Sequence, residues 1–475
     1  MQLKMMIAMS KKNLSEWLSF LEVAHPVEIE LGLDRISRVA IELGFSSFRI
    51  NTLAGLDSGK KKCTAINEHL KNEAKSLNVA KKIIIIGGTN GKGSCVAALE
   101  SILRTAGHNV GTYTSPHLIQ YNERIKINGK NADDLDICLA FEKIELARNA
   151  ISLSYFEFST LAALLIMADA NLDFAILEIG LGGRLDAVNF INPDVSVITT
   201  IALDHEGWLG YDIDTIGAEK AAIAREGIPL IYGDKEPVSG VVKTAIAAGA
   251  DLLINGIDFY YEQFQVPVVS SLPTVSVTCA LKAAMLLSPE LSEVQLKKGL
   301  QLAQLDGRYQ EISLGGVSII LDVAHNPQAS QLLAKRMAAN VSSGRITAIA
   351  GMMLDKDIYG ILKPMMPLVD VWHFCDIPNN ARASSAHNIA SICSDNQKGP
   401  RNKKSYSGQF KLDDDHILTE KQNEIFEQKS PEHAITKVID GSAVGDTVVI
   451  FGSFVVVGPV LSWLRNSKLT GDSSS

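Results

Sequence analysis

Residues 83–94, IIIIGGTNGKGS, constrain the fold more than any other stretch of this 475-residue chain. Four consecutive isoleucines read as a strand buried on both faces, the kind found inside a parallel sheet. The glycine-rich turn after them offers backbone N–H groups as an anion-binding concavity at the start of a helix, expected over 95–106. Lys92 sets a cation beside the phosphates, and Ser94 supplies a hydroxyl of the kind that holds Mg²⁺. A strand before the loop and a helix after it separate this pattern from an ordinary turn with a solvated lysine. Together they predict nucleoside-triphosphate binding.

Length and composition set the frame. A chain of 475 residues is too long for one core, so two or three domains are expected. A net charge of −8 argues against nucleic acid as the main partner. No apolar run approaches the ~20 residues needed to span a bilayer, so no membrane partner is expected. The first residues, MQLKMMIAMSKKN, carry a short apolar patch without a small-residue cleavage site and are not read as a signal peptide. Six cysteines (Cys63, Cys95, Cys138, Cys279, Cys375, Cys393) show no C-x-x-C pairing and no metal-ligand spacing. Free thiols in a reducing, cytoplasmic compartment are the simplest account.

Apolar runs alternate with helical stretches, which predicts an α/β protein with a largely parallel sheet. Strands are expected at 83–86, 174–179, 195–201, 317–323, 346–350, 371–375 and 447–451. Residues 58–82 are rich in lysine and read as a solvated surface. Residues 394–430 are polar and apolar-poor and read as a mobile insertion.

Three further constellations lie at strand ends, where parallel sheets place their functional groups. In DFAILEIGLGGRLDAVN, Glu178 ends an apolar strand ahead of the glycine-rich loop 180–183, well placed for a metal. Asp204 and His205 follow the 195–201 strand, and Lys220 lies on the helix after them. Far downstream, Arg308 precedes a strand that ends in Asp322, His325 and Asn326, closed by Pro327. Each residue alone would more often cap a helix or face solvent. Two clusters on separate α/β units suggest a site at a domain interface.

The G-T-N-G-K-G-S form departs from the general phosphate-loop pattern, with Ile86 at the first glycine position and Gly93 between Lys92 and Ser94. That form resembles the ATP loop of the Mur ligase family, and within it the folylpolyglutamate synthases. The resemblance continues through TSPHLIQYNERIKING, FEFSTLAAL, LEIGLGGRLDAVN, LDHEGWLG, EKAAIAREGIP, LDGRYQ, DVAHNP and IFGSFVVVG, in order and over most of the chain. It implies a P-loop ATPase domain over 1–304 with a mostly parallel sheet. A smaller Rossmann-like domain over 305–475 would carry the glutamate-ligase function, after a linker near 303–307.

The resemblance also implies roles. Gly88, Thr89, Asn90, Gly91, Lys92, Gly93 and Ser94 would cradle ATP, with Lys92 on the β- and γ-phosphates and Ser94 on Mg²⁺. Glu178 and His205 match further metal ligands. Lys220 matches a lysine that is carbamylated in the family and helps hold a second Mg²⁺. Arg308 and Asp322 would reach ATP, and His325 would face the incoming glutamate and the reacting phosphate. Thr114, Ser115, Pro116 and His117 would begin a loop near the pterin-bearing substrate. Val188 departs from the family's LDATN-type sequence, as does PNNARASS after the 371–375 strand; the latter leaves Arg382 without an assigned role.

The implied reaction is ATP-dependent addition of L-glutamate to dihydropteroate and to reduced folates through an acyl phosphate, by a monomeric ligase. A carboxylate resists amine attack because oxide is a poor leaving group, and phosphorylation replaces oxide by phosphate. Within the family, a monofunctional folylpolyglutamate synthase is the alternative; two other readings are a Mur-type ligase acting on a peptidoglycan or poly-amino-acid precursor and an ATP-driven motor. HPVEIELGLDR and TSPHL favour folate over the first. The second has no use for the clusters around Glu178, His205 and Asp322.

Overall fold

The computed structural model describes residues 12–25, 30–45, 77–266, 271–340, 344–397 and 424–471. Two compact units emerge, Met1–Leu305 and Asp306–Ser475.

The first unit is built on a sheet whose strands, among the described residues, are β1 (Lys82–Gly87), β2 (Val110–Tyr113), β3 (Ile125–Ile127), β4 (Lys130–Asn131), β5 (Phe174–Glu178), β6 (Val195–Ile198), β7 (Pro229–Tyr232) and β8 (Asp251–Ile254). Their spatial order is β4-β3-β2-β5-β1-β6-β7-β8. All neighbours from β2 to β8 are parallel, while β3 and β4 pair antiparallel at one edge.

The isoleucine run occupies a central strand, and its side chains alternate between two cores. Ile83 and Ile85 join a cluster with the helix Tyr155–Ala168. Ile84 and Ile86 join another with the helices Lys92–Thr105 and Thr274–Leu287. All four are fully buried. Each such side chain contributes roughly 1.5–3 kcal/mol by leaving water, which explains why the strand tolerates no polar face.

The second unit holds β9 (Gln310–Leu314), β10 (Val317–Leu321), β11 (Ile346–Ala350), β12 (Val371–Cys375), β13 (Glu424–Gln428) and β14 (Thr447–Phe451), ordered β13-β12-β11-β14-β10-β9. Among the described strands of this unit, only β9 runs antiparallel to its neighbour.

Several boundaries differ from the sequence expectation. The helix after the glycine loop starts at Lys92 rather than Cys95, because Gly91 takes the left-handed conformation as its N-cap and Gly93 is helical despite its low propensity. The 195–201 and 317–323 strands end early, at Ile198 and Leu321. Just beyond each end, the side chain of Thr199 or Asp322 bonds to loop backbone while its own N–H still reaches the neighbouring strand. The polar segment 394–430 is in part structured: the helix Ala386–Gln397 covers its start and β13 lies near its end. Its middle, together with most of the lysine-rich 58–82 stretch, Cys63 and part of HPVEIELGLDR, lies outside the described residues.

Candidate active site

Register places the functional ends of three strands together. Ile86 stands opposite Glu178 of β5, and Gly87 opposite Ile198 of β6. The loop leaving β1 is therefore flanked by Glu178 and by Thr199, the residue after β6. Its glycines are needed for space as well as for backbone angle. A Cβ on Gly88 would overlap the Thr199 hydroxyl, and φ there is +133°.

Lys92 sits in the first turn of its helix and folds back over the loop, donating to Gly88 O at 3.2 Å and to Thr89 O at 3.3 Å. Lys220, on the helix Ile213–Ala221, is buried and donates to the same Gly88 oxygen at 3.3 Å. Burial pushes its pKa down to about 7, helped by repulsion from Lys92 and opposed by Asp204, Asp186 and Glu219. It is not the solvated helix lysine its sequence context permits, since Glu219 pairs instead with Arg184 at 2.9 Å.

Asp186 organises the second glycine loop by accepting the N–H groups of Gly180, Leu181 and Val188. Full burial raises its pKa to about 6 against those three bonds and the nearby Lys92. Glu178 is buried, and its Oε2 accepts the Ser115 N–H at 3.2 Å. The same oxygen would lie 3.7 Å from a Cβ on Gly93, so this carboxylate faces the start of the Lys92 helix. Through Ser115, the 114–117 segment is tied to Glu178. Within that segment, Thr114 N–H bonds Arg124 O, the Ser115–Pro116 peptide is cis, and His117 Nδ1 accepts from Arg124 Nε at 2.9 Å. Burial, with Arg124 beside it, lowers the His117 pKa to about 4.

The structure thus gathers Gly88, Thr89, Lys92, Glu178, Ser115 and Lys220 around one loop. His205 lies on a half-exposed turn with φ +54°, its Nε2 4.0 Å from Asp204 Oδ2.

The donor set suits Mg²⁺, a hard cation that takes oxygen ligands. Ser94 Oγ is fully buried and has no hydrogen-bond partner among the described residues, an orphan hydroxyl in need of one. Glu178 supplies a carboxylate on the same side. Lys220 as an ammonium cannot join such a set. No group of three His, Cys, Asp or Glu side chains with metal-binding geometry occurs among the described residues.

In the second unit, Asp322 follows β10 directly and is buried, accepting from Tyr309 N–H and Ala324 N–H, each at 2.9 Å. Burial raises its pKa, while Arg308 and Arg336 pull it down. Tyr309 is held at φ +45°, an unusual angle for a bulky residue. Arg308 lies over the Phe454 ring at 5.1 Å, and the His325 ring is 6.0 Å from the same phenyl. His325 Nδ1 lies 2.8 Å from Val323 O. Asn326 caps the helix Pro327–Ala339. Arg382, by contrast, sits 3.8 Å from Asp355 on an exposed turn.

Sequence reasoning missed five participants. Asp186 was visible only as the acid in LGGRLDAVN, and Phe454 only within IFGSFVVVG. The Thr199–Thr200 pair directly after an apolar strand was a usable signal. Ser276 had none.

The chain matches the Mur ligase middle domain over residues 86–257 and the Mur ligase glutamate ligase domain over 307–454. It is 38% identical to the dihydrofolate synthase/folylpolyglutamate synthase of Escherichia coli K12, over 79% of this chain and 84% of that protein. Its fold is similar to E. coli FolC in complex with DHPP and ADP, with a TM-score of 0.81 and 33% identity, covering 97% of this chain and 99% of the other. It is also similar to a bifunctional folylpolyglutamate synthase/dihydrofolate synthase with Mn, AMPPNP and L-glutamate bound. There the TM-score is 0.77 and the identity 34%, over 96% of this chain and 99% of that one.

Proposed function

The chain belongs to the dihydrofolate synthase/folylpolyglutamate synthase family of Mur ligases, and on that premise we propose that residues 88–94 hold the phosphates of ATP during glutamate ligation. The enzyme is an ATP-dependent ligase that joins L-glutamate to dihydropteroate and to folates by a carbon–nitrogen bond. The observation that carries the site assignment is the loop itself: a glycine turn between Glu178 and Thr199, with Lys92 folded over it.

A substrate carboxylate oxygen attacks the γ-phosphorus and the bond to the β-phosphate oxygen breaks, giving an acyl phosphate and ADP. The glutamate amine then adds to the acyl carbon, loses a proton, and phosphate departs. No covalent protein nucleophile is needed. The chain's task is to position two anions and offset growing charge. Lys92 follows the β- and γ-phosphates, and Arg308 and Asp322 bind the nucleotide. His325 faces the incoming glutamate and the transferring phosphate, and Thr114, Ser115, Pro116 and His117 line the pterin side.

Ser94 and Glu178 would hold Mg²⁺, with His205 and a carbamylated Lys220 serving a second ion. When bound, the metal neutralises phosphate charge. Carbamylation is supported by the burial of Lys220 and by its lowered pKa, since CO₂ adds only to the neutral amine.

We place the enzyme in the cytoplasm as a monomer. The five described cysteines are free, which suits a reducing compartment, and no described helix is long and apolar enough to cross a membrane. The test is product mass after incubation with ATP and L-glutamate, first with dihydropteroate and then with tetrahydrofolate. Each acceptor is expected to gain glutamate, with ATP consumed only when both partners are present. ATP hydrolysis without them would overturn the reading.

A further inference from the structure

We infer that Thr199, assisted by Ser276, is a positioning residue that aims the phosphate-binding N–H groups of the loop; the inference rests on the ATP-site reading above. Three hydroxyls from outside the loop grip its backbone. Thr199 Oγ1 donates to Asn90 O at 2.6 Å. Thr200 Oγ1 lies 3.2 Å from that oxygen and accepts the Asn90 N–H at 3.2 Å. Ser276 Oγ, from the helix Thr274–Leu287, donates to Gly91 O at 3.0 Å. Backbone bonds from Thr199 N–H to Gly87 O at 3.0 Å and from Thr89 N–H to Thr200 O at 2.7 Å complete the attachment.

A trans peptide is planar, with its C=O and N–H pointing opposite ways. Holding the carbonyls of Asn90 and Gly91 therefore directs the N–H groups of Gly91 and Lys92 to the other side. Those donors belong to the N-cap and first residue of the Lys92–Thr105 helix, where the helix itself supplies no acceptor. They are the groups a phosphate would use.

The spacing of glycines in the loop fits this arrangement. A Cβ on Gly88 would overlap the Thr199 hydroxyl, and one on Gly91 would overlap the Ser276 hydroxyl. Glycine at both places lets the hydroxyls approach. Both hydroxyls are spent on carbonyls, so their contribution to ATP binding runs through loop orientation.

Thr199→Val keeps the shape and removes the hydroxyl. In the full-length enzyme, with dihydropteroate and L-glutamate saturating, its KM for ATP is expected to rise about tenfold. The expected kcat and KM for L-glutamate stay within about twofold. Thr199→Ser should return KM for ATP to the native value, and Ser276→Ala should shift it in the same direction as Thr199→Val. A purely structural role would lower Tm and the yield of active enzyme without moving KM for ATP. An unchanged KM for ATP in Thr199→Val, or failure of serine to restore it, overturns the inference. If Thr199→Val does not fold, Ser276→Ala decides by the same criterion. Lys92→Ala measured in parallel separates the two levels. If it too leaves ATP use unchanged, the loop is not the ATP site; if only the hydroxyl variants are silent, positioning alone is refuted.

Discussion

Lys92 and Lys220 donate to one and the same carbonyl oxygen, that of Gly88, at 3.2 and 3.3 Å. Burial disfavours the Lys220 ammonium, and repulsion from Lys92 adds to that. Its pKa falls to about 7, so a large share of it is neutral near pH 7. Adding CO₂ would replace repulsion by attraction to Lys92 and create two oxygen ligands where an ammonium would repel a metal.

Lys220→Ala is accordingly expected to cost at least about a hundredfold in kcat, with part of the activity restored by short carboxylates that occupy the vacated space. Enzyme stripped of CO₂ should regain activity faster at pH 8 than at pH 6 when both are supplied with the same concentration of dissolved CO₂, because the neutral amine predominates only above its pKa. Steady-state rates after each treatment report this. A fully active Lys220→Ala enzyme would remove the assignment.

For Lys92, the expected signature is a loss of turnover of roughly 10²–10³, the scale for removing a cation from developing phosphate charge. Initial rates at saturating ATP measure it. Near-normal kcat in Lys92→Ala is the contrary result.

Ser94 gives a cleaner experiment, because its hydroxyl has no hydrogen-bond partner among the described residues to lose. Ser94→Ala should leave Tm unchanged or slightly higher, yet raise the Mg²⁺ concentration for half-maximal activity by about tenfold or more. Metal titration against thermal melting separates the two effects. A fall in Tm with unaltered Mg²⁺ dependence would mean a structural hydroxyl.

Stability should also depend on pH through His373 on β12. Burial, with Lys437 and Arg345 nearby, lowers its pKa to about 4, and its Nδ1 is bonded by Gln428 at 2.9 Å. A folded pKa below the unfolded ~6.5 means that the unfolded chain takes up the proton first. Stability from this residue is therefore present above about pH 6.5 and is lost as pH falls toward 4. After allowance for its partial exposure, the effect at pH 5 is of order 1 kcal/mol. Melting His373→Gln beside the native enzyme from pH 7 to 5 should show a shallower fall in the variant.

Much of this protein could be read from its residues in order. The isoleucine run, the glycine loop and the strand-end acids are local patterns with local causes: β-branched side chains need burial, glycines permit close approach, and strand ends expose polar groups to a crevice. The alternation of apolar runs likewise announced an α/β fold. Short strands such as β7 and β8 were harder to read, because a few residues of mixed burial carry little periodic signal.

What the residues in order could not decide was which distant groups meet. Lys220 reads as an ordinary helix lysine until the sheet order β5-β1-β6 brings its helix over Gly88. Thr199 and Ser276 lie over a hundred residues from Gly91, and only register and helix packing turn their hydroxyls onto the loop. Burial, which makes Lys220 reactive and leaves Ser94 without a partner, is likewise a property of the packed structure. Side-chain chemistry is local, but desolvation and approach depend on everything that surrounds it.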